Sequence, residues 1–267
     1  MTSSATGSRI DVTLVAGGKY HDIDFARRQL LDLLAEHDEF RVRVQPDYED
    51  AGAIAAGTIL VSYTCDVRPS DQAQQTIRSW VEAGGRWVAL HGTNAALDLG
   101  TPKGVDAPRV FPLWADTLGS QFIAHPTIQP YRVGVTDPDH WLVAGIEPFD
   151  TDDELYLSEY AARDDLEVLL HTTFQGEAAG FVESDWTATE PVHPVMYLRP
   201  LGEGAVLYNT LGHCRGHYDM VPVLDYYPRV ERCSWEQPAY HELLRRSLRW
   251  ARGDTTPTDP PGERPDR

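Results

Sequence analysis

Residues 80–94, WVEAGGRWVALHGTN, contain the end of a helix, a buried strand and the turn that follows this strand. The two adjacent glycines end the helical pattern, and Arg86–Leu90 is a short, mostly apolar run typical of a strand. The run ends at His91, which a glycine and two small polar residues follow. In an open parallel sheet, ligands bind outside the carboxyl ends of the strands. The stretch therefore predicts an α/β fold with a histidine at its functional edge.

Strand and helix patterns alternate before this stretch. Strands are predicted from β-branched and apolar content at residues 10–16, 40–44 and 58–63. One helix carries Phe25–Leu34 and begins at Asp22 or Asp24, and a second helix begins at Ser70. The order strand, helix, strand, strand, helix, strand over residues 10–90 indicates a parallel sheet covered by helices.

The second half of the chain is richer in strands and poorer in helices. Five strands are predicted, at residues 131–135, 155–160, 166–173, 195–198 and 205–211. A terminal amphipathic helix follows at 240–251, and no repeat or linker divides the chain. We therefore expect one α/β domain over residues 10–253, with a mainly parallel sheet flanked by helices and additional antiparallel strands in the second half. Residues 1–9 are expected to be a flexible N-terminus, and 254–267 a disordered tail.

Composition and charge argue against several classes of partner. With 23 Lys and Arg against 41 Asp and Glu, the net charge is −18, which disfavours binding to nucleic acid. No apolar run approaches the roughly 18 residues of a membrane span, and the first residues lack the apolar core of a secretory signal. Cys65, Cys214 and Cys233 form no CxxC pair, so a disulfide framework is not expected. A cytoplasmic protein without membrane or nucleic-acid partners is predicted.

Polar residues follow several of the predicted strands. They are Lys19, Tyr20, His21 and Asp22 after the first strand, Thr64, Cys65 and Asp66 after the third, His91, Thr93 and Asn94 after the fourth, and His213 near the end of the last. Taken singly, each histidine is more simply explained as a loop or capping residue. If the strands are parallel neighbours, however, these side chains converge at one edge of the sheet, and that convergence favours a binding or catalytic site.

Other polar clusters are compatible with the same site. His125 precedes a proline, His140 lies in the turn sequence DPDHW, and Asp153 and Glu154 stand before a predicted strand in DDELY. A carboxylate beside histidines can act as a general base or a metal ligand, although a solvated turn explains DDELY equally well. Sequence motifs for dinucleotide, P-loop and HExxH metal sites are absent.

Together these segments resemble the trehalose-utilisation (ThuA-like) family, within the class I glutamine-amidotransferase-like superfamily. The matching segments, in chain order over residues 11–253, are GGKYHD, WVEAGGRWVALHG, GSQFIAHP, DPDHWLVAGI, DDELY, LGEGAVLYNTLGH and LLRRSLRWARG. The resemblance implies a flavodoxin-like or amidotransferase-like α/β fold. In glutamine amidotransferases a cysteine nucleophile follows the strand that here ends at His91. The resemblance therefore implies that this chain has no glutaminase activity.

The resemblance also implies a role in carbohydrate catabolism. The family is associated with disaccharides and with oxidoreductases that oxidise a sugar at C3, so a disaccharide or a 3-keto-glycoside is the expected small-molecule substrate. A C3 carbonyl acidifies the hydrogens on C2 and C4, which suits acid/base chemistry of an isomerase, lyase or hydrolase type. The candidate catalytic residues are His91, His213, Glu154 and His21. The candidate substrate-binding residues are Tyr20, Asp22, Tyr63, Asp66, Asn94, His125, His140, Tyr156 and His217.

Four further expectations remain open from the sequence. A divalent metal held by histidine and carboxylate groups would strengthen this chemistry, but no compact motif identifies its ligands. A non-catalytic carbohydrate-binding or regulatory module derived from the same fold is the alternative to an enzyme. The segment Cys214–Pro238 is longer than the usual family connection, which allows a different substrate. The extra strands and aromatic loops of the second half favour a homo-oligomer.

Overall fold

The computed structural model describes residues 9–256, which form a nine-stranded mixed sheet with helices on both faces. The strands in this sheet are β1 (Ile10–Gly18), β2 (Phe40–Gln45), β3 (Ile59–Cys65), β4 (Arg86–Leu90), β8 (Tyr131–Val135), β9 (Phe149–Thr151), β11 (Glu167–Thr173), β12 (Val192–Leu201) and β13 (Gly204–Asn209). The helices are α1 (Ile23–Leu34), α2 (Ala51–Ala55), α3 (Asp71–Glu82), α4 (Pro112–Leu118) and α5 (Pro238–Arg252). Two small two-stranded sheets pair β5 (Asp98–Thr101) with β6 (Gly104–Asp106), and β7 (Ser120–Ala124) with β10 (Leu157–Tyr160).

The large sheet changes from parallel to antiparallel pairing at β13. Its order is β2-β1-β3-β4-β13-β12-β11-β8-β9, and the first five of these strands are parallel to their neighbours. From β13 onward every pair is antiparallel. The carboxyl ends of β1, β3, β4 and β13 therefore lie at one edge. The predicted α/β class, parallel in the first half with antiparallel additions, is confirmed.

Side chains of the parallel strands point alternately to two apolar layers. On one face, Val88 and Leu90 of β4 pack with α1 and α5, and on the other Trp87 and Ala89 pack with α3 and α4. Burial of two faces explains why these strands read as nearly continuous apolar runs in the sequence. The helices begin at side-chain caps where the sequence supplies them: Asp22 accepts a hydrogen bond from Phe25 N, and Ser70 from Ala73 N.

The sequence patterns located most elements but missed the short ones. β4 and β8 have the predicted bounds, and the other predicted strands differ from β1, β2, β3, β10, β11, β12 and β13 by one to three residues at one or both ends. Helices α2 and α4 and strands β5, β6, β7 and β9 were not predicted. No helix within residues 9–256 is long and apolar enough to cross a membrane. The expected flexible and disordered ends fall on residues 1–8 and 257–267, outside the described residues, except for Arg9 and 254–256.

Candidate functional site

Three histidines extend from the ends of parallel strands. His21 follows β1, His91 follows β4 and His213 follows β13, and these strands share one edge of the sheet. Glu154 reaches the same place from the connection between β9 and β10. All four side chains are buried, and the potential ligand atoms of these residues lie within 4.8 Å of one another. We call His21, His91, Glu154 and His213 the four-residue cluster.

The backbone is held in an uncommon conformation at the strand ends. His91 has a φ of 48°, Tyr20 of 66° and Asp66 of 52°, each in the left-handed region that non-glycine residues rarely adopt. Such residues cost on the order of 1–3 kcal/mol each and concentrate at functional sites. Gly92 is required beside His91, because a Cβ there would lie 2.7 Å from the Thr64 carbonyl oxygen. The turn thus aims the imidazole of His91 into the cluster.

In each histidine of the cluster, one ring nitrogen faces the other cluster residues, and we call it the inward nitrogen. These inward nitrogens and the Glu154 carboxylate lie close together. Nε2 of His21 lies 2.9 Å from Nε2 of His91, and Nδ1 of His213 lies 3.0 Å from Oε1 of Glu154. Oε2 of Glu154 is 3.4 Å from Nε2 of His91 and 3.9 Å from Nε2 of His21. Donors bound tetrahedrally at 2.0–2.1 Å from a cation are separated by about 3.3 Å. The spacing therefore matches the coordination sphere of a small divalent ion.

Each histidine is fixed through its other ring nitrogen. Nδ1 of His21 lies 3.2 Å from the Lys19 carbonyl oxygen, and Nδ1 of His91 lies 2.8 Å from the Thr210 carbonyl oxygen. Nε2 of His213 lies 2.9 Å from Oε2 of Glu231. Because a carbonyl or carboxylate can only accept, each outward nitrogen donates, and the inward nitrogen carries the lone pair when the ring is neutral. This outer arrangement is typical of histidines that bind metals.

Asp153 anchors the loops that carry the last two cluster residues. Its buried carboxylate accepts hydrogen bonds from the backbone N–H groups of Gly212 (2.8 Å), His213 (3.0 Å), Glu154 (2.8 Å) and Ser234 (3.2 Å). A carboxylate with four such donors is fully satisfied although it is buried. The interpretation of DDELY as a solvated turn is therefore wrong: Asp153 and Glu154 are both buried structural or functional groups.

Electrostatic interactions give the cluster groups different charges. Burial alone would raise the pKa of Glu154, but nearby His213 and His125 hold that pKa well below its usual range. Burial opposes the charge on His213, yet the carboxylates of Glu154 and Glu231 raise its pKa to about 9. Burial and the charges of neighbouring histidines lower the pKa of His21 well below its usual value. Without a cation, His213 is therefore protonated and His21 is neutral near pH 7.

The residues present fit a divalent metal ion. Three imidazoles and one carboxylate are the ligand types that zinc and related ions prefer. Nδ1 of His213 is buried and lies 3.0 Å from Oε1 of Glu154, an ion pair that lacks hydrogen-bond geometry. Buried polar atoms are nearly always hydrogen-bonded. A metal ion bound to both groups would replace this imperfect contact.

A cavity of about 250 Å³ opens onto the cluster, and we call it the inner cavity. Its apolar wall includes Tyr20, Leu97, Leu99, Phe122, Phe181 and Met220. Its polar lining comes from His21, His125, Glu154, Tyr156 and Arg215. The hydroxyl of Tyr156 is 3.2 Å from Nε2 of His91, and Nε2 of His125 is 3.4 Å from Oε1 of Glu154. The combination of apolar walls with a few convergent polar groups is typical of a small-molecule site.

Comparison with known proteins identifies the family. The ThuA family, described as trehalose utilisation, matches residues 11–227. The chain belongs to the ThuA family. The predicted family membership is thus confirmed, and so is the general link to carbohydrate metabolism. No curated protein matches the sequence.

Solved structures of ThuA-like proteins share the fold of this chain. One from Bacteroides uniformis ATCC 8492 has 16% sequence identity and a TM-score of 0.64, with 94% of each chain covered. One from Parabacteroides merdae ATCC 43184 has 15% identity and a TM-score of 0.62, covering 97% of this chain and 95% of that chain. A β-galactosidase from Rahnella sp. R3 matches over 91% of this chain but 30% of its own, with 13% identity and a TM-score of 0.53. At these identities the likeness shows the fold alone.

Several of the residues proposed from the sequence meet at this ThuA-family site. The four-residue cluster, His125, Tyr156 and Tyr20 all border the inner cavity or its floor. Asp66 lies next to it, where it accepts hydrogen bonds from Lys19 and Arg68. Tyr63 stacks on His91 with ring centroids 5.9 Å apart, and its hydroxyl donates to the Gly212 carbonyl oxygen. Tyr63 therefore packs against the imidazole of His91 and helps to hold it in place. Its role in substrate binding stays a prediction.

Four other proposed residues contact other parts of the molecule. Asp22 caps α1 and pairs with Arg232 at 2.8 Å, and Asn94 donates to the Ser120 hydroxyl at 2.8 Å. His140 contacts Glu167 and Leu142. His217 bonds to the Tyr227 carbonyl oxygen and stacks on Tyr226. None of these contacts involves the four-residue cluster.

The sequence reasoning missed three groups that hold or border the cluster. Glu231 and Arg215 pair with each other at 3.2 Å, and Arg215 also lies 3.6 Å from Glu154. The third group is the Thr210 carbonyl oxygen beside His91. Arg215 and Glu231 lie at the two ends of an irregular segment within Cys214–Pro238, where no strand or helix periodicity signals their approach. The unusual length of this segment was the one available signal.

Proposed function

We propose that this ThuA-family chain is an enzyme of carbohydrate catabolism that acts on a 3-keto-glycoside by acid/base chemistry, with a divalent metal at the four-residue cluster. The observation that carries the proposal is the set of three histidines whose outward nitrogens are fixed and whose inward nitrogens meet Glu154. His21, His91, His213 and Glu154 would hold the ion. When bound, the metal would supply Lewis-acid stabilisation of negative charge on a carbonyl oxygen.

His125 is the best-placed base for removing a proton from carbon. Its Nδ1 donates to the Pro126 carbonyl oxygen at 2.7 Å, so Nε2 carries the lone pair when the ring is neutral. Burial lowers the pKa of His125, which keeps the ring neutral near pH 7. In a 3-keto sugar, the proton on C2 is acidified by the carbonyl, and His125 Nε2 would accept it.

Tyr156 is the best-placed donor to an oxygen of the substrate. Burial, with the negative charge of Glu154, raises the pKa of its phenol well above the usual value, so the hydroxyl keeps its proton. A protonated phenol can donate to a carbonyl oxygen as negative charge develops there. Loss of the C2 proton to His125 forms the enolate. When the C3 carbonyl re-forms, this electron pair makes the C1–C2 double bond, the C1–O bond breaks, and the leaving oxygen takes the proton held by His125 as an alcohol. These reaction steps cleave a glycosidic bond without a nucleophilic cysteine.

A direct assay tests this function. The purified protein is incubated with 3-keto-trehalose and with simple 3-keto-glucosides, with and without chelator, and the products are followed by NMR. Cleavage that stops with chelator and returns with a divalent cation is the expected result. Bound metal is quantified in the same samples. Turnover that proceeds unchanged in chelated, metal-free protein would contradict the proposal, and glutamine serves as a control substrate that should release no ammonia.

The alternative is a non-catalytic carbohydrate-binding or regulatory module. The apolar wall of the inner cavity, with Phe122 and Phe181, would suit stacking on a sugar under either function. Binding of hydroxyl groups does not require three buried imidazoles around a carboxylate, and a buried polar cluster is costly unless it is satisfied. The geometry of the cluster therefore favours the enzyme. A binding module would retain the 3-keto sugar and return it unchanged in the NMR assay.

A further inference from the structure

A second cavity, of about 690 Å³ and more open, adjoins the inner cavity. We call it the outer cavity. The two cavities share Tyr20, Leu97 and Leu99, so one continuous ligand could extend from one into the other. The inner cavity, at about 250 Å³, lies below the roughly 300 Å³ at which pockets for drug-sized ligands begin. A ligand larger than one ring must therefore extend outward.

Charged residues form the polar side of the outer cavity. Asp66 has a buried side chain that accepts from Lys19 Nζ at 2.8 Å, from Arg68 Nε at 3.0 Å and from the backbone N–H of Leu97 at 3.1 Å. Arg68 also donates to Asp98 at 2.7 Å. Two cations and two anions cancel, so the outer cavity has no net charge to attract a phosphate. Balanced donors and acceptors suit an uncharged ligand that carries many hydroxyl groups.

Lys19 keeps hydrogen-bonding capacity for a ligand. An ammonium group has three N–H donors, and one of them is used on Asp66. The Lys19 side chain is 59% exposed, so the other donors are accessible from the outer cavity. Asp98 offers carboxylate acceptors on the same side with its side chain 51% exposed. The shared apolar residues supply a surface for the C–H face of a sugar ring.

We propose that the outer cavity is the subsite for the second ring of a glycoside whose oxidised ring lies in the inner cavity, with Lys19 and Asp98 binding the hydroxyl groups of that second ring. This inference rests on the proposed function for the identity of the inner ring. The outer ring is then the group that leaves from C1. Lys19 sets the preference for two-ring over one-ring substrates without touching the reacting atoms.

Lys19 can be tested chemically because Lys19 and Lys103 are the two lysines of the chain. The metal-loaded protein is acetylated with an amine-reactive reagent in the presence of trehalose, 3-keto-trehalose or methyl 3-keto-α-glucoside. Mass spectrometry then gives the rate of modification at each lysine. We expect the two-ring sugars to slow modification of Lys19, the one-ring glycoside to leave it unchanged, and exposed Lys103 to react at the same rate throughout.

The matched variants are Lys19→Met and Lys103→Met. Lys19→Met should lower kcat/KM about tenfold for 3-keto-trehalose, the loss of one hydrogen bond to a charged donor, and leave the methyl glycoside unaffected. Equal effects on both substrates, or no protection of Lys19 by either two-ring sugar, would overturn the outer subsite. If no 3-keto sugar is turned over but the two-ring sugars still protect Lys19, the outer subsite stands and the proposed chemistry fails.

Discussion

The inner and outer cavities hold their polar groups in opposite ways. At the inner cavity, the four-residue cluster is buried and its histidines are each fixed by an outward hydrogen bond. At the outer cavity, Lys19, Arg68 and Asp98 are at least 39% exposed and are held mainly by one another around Asp66. Fixed, dehydrated groups suit chemistry, whereas exposed and adjustable groups suit recognition. Changes at the inner cavity should therefore affect rate, and changes at the outer cavity should affect selectivity.

The largest effect is expected from His91→Ala. Loss of this inward nitrogen should lower kcat by about 10³-fold, because the group that helps to stabilise developing charge is removed. The free energy of unfolding of the chelated protein should fall by about 1–3 kcal/mol, because the buried Thr210 carbonyl oxygen loses its donor and the buried imidazole leaves a cavity. Steady-state kinetics and thermal unfolding measure the two quantities.

Two further variants sharpen the comparison. His91→Asn keeps hydrogen-bonding capacity but cannot replace an imidazole as proton carrier or ligand, so it should be as inactive as the alanine variant. His140→Ala, whose histidine contacts Glu167, should retain full activity. Unchanged turnover per folded His91→Ala molecule, with several kcal/mol of lost stability, would show that His91 is structural and that the inner cavity is not the site of chemistry.

Metal affinity should depend steeply on pH. Because the pKa of His213 is raised to about 9 by Glu154 and Glu231 against the opposing effect of burial, the metal-free cluster holds a proton that the ion must displace. The apparent affinity should rise about tenfold per pH unit up to pH 9 and then level off. Calorimetry in buffers of different ionisation enthalpy gives the number of protons released. A pH-independent affinity would mean that Nδ1 of His213 does not bind the ion.

Glu231→Gln should have a smaller effect. It replaces the carboxylate that fixes Nε2 of His213 at 2.9 Å, and loss of such an outer partner typically lowers metal affinity by 10–100-fold. The exposed Glu236→Gln is a matched control that removes the same charge from the neighbouring segment. Competition with a chromophoric chelator measures the affinity. Equal metal affinities of the two variants would contradict the role of Glu231 in fixing His213.

The smallest effect on the inner cavity is expected from association of the chain with a second copy of itself. Tyr218, Val221, Val223, Leu224 and Tyr226 are exposed on the long connection beside the cavities. Exposed apolar groups of this kind favour contact with another subunit, so a homo-oligomer is expected, with little influence on the inner cavity. Light scattering across micromolar concentrations tests this. A monomer at every concentration would remove the expectation.

The three histidines of the cluster could be predicted because each one follows a parallel strand that the local sequence pattern identifies. His21, His91 and His213 were found from the rule that ligands bind at the carboxyl ends of parallel strands, which requires only correct strand positions. Glu154 was named from its neighbours in DDELY, but its burial depends on Asp153 accepting backbone hydrogen bonds from residues 212, 213 and 234. Such long-range pairing leaves no periodic signal in the sequence. The metal-like spacing of the cluster was therefore invisible before the fold was known.

The missed elements have a similar cause. Helix α4 (Pro112–Leu118) has proline at its start and Gly119, with a φ of 88°, at its end, so its signals were present but short. Strand β7 pairs with β10 outside the large sheet, and this pairing joins residues far apart in the chain. Outlying candidates such as His140 and His217 were named from residue type within turns. A histidine in a turn was therefore a weak predictor of a place in the cluster unless it also followed the end of a strand.

Cys65 borders the inner cavity without taking part in the cluster. Burial, with the charges of Glu154 and Asp66, raises the pKa of its thiol well above the usual value, so the sulfur stays protonated. On the proposed function, a thiolate at this position would add to the keto group of the substrate and trap it as a dead-end adduct, which the neutral thiol avoids. We therefore expect Cys65 to react slowly with alkylating reagents.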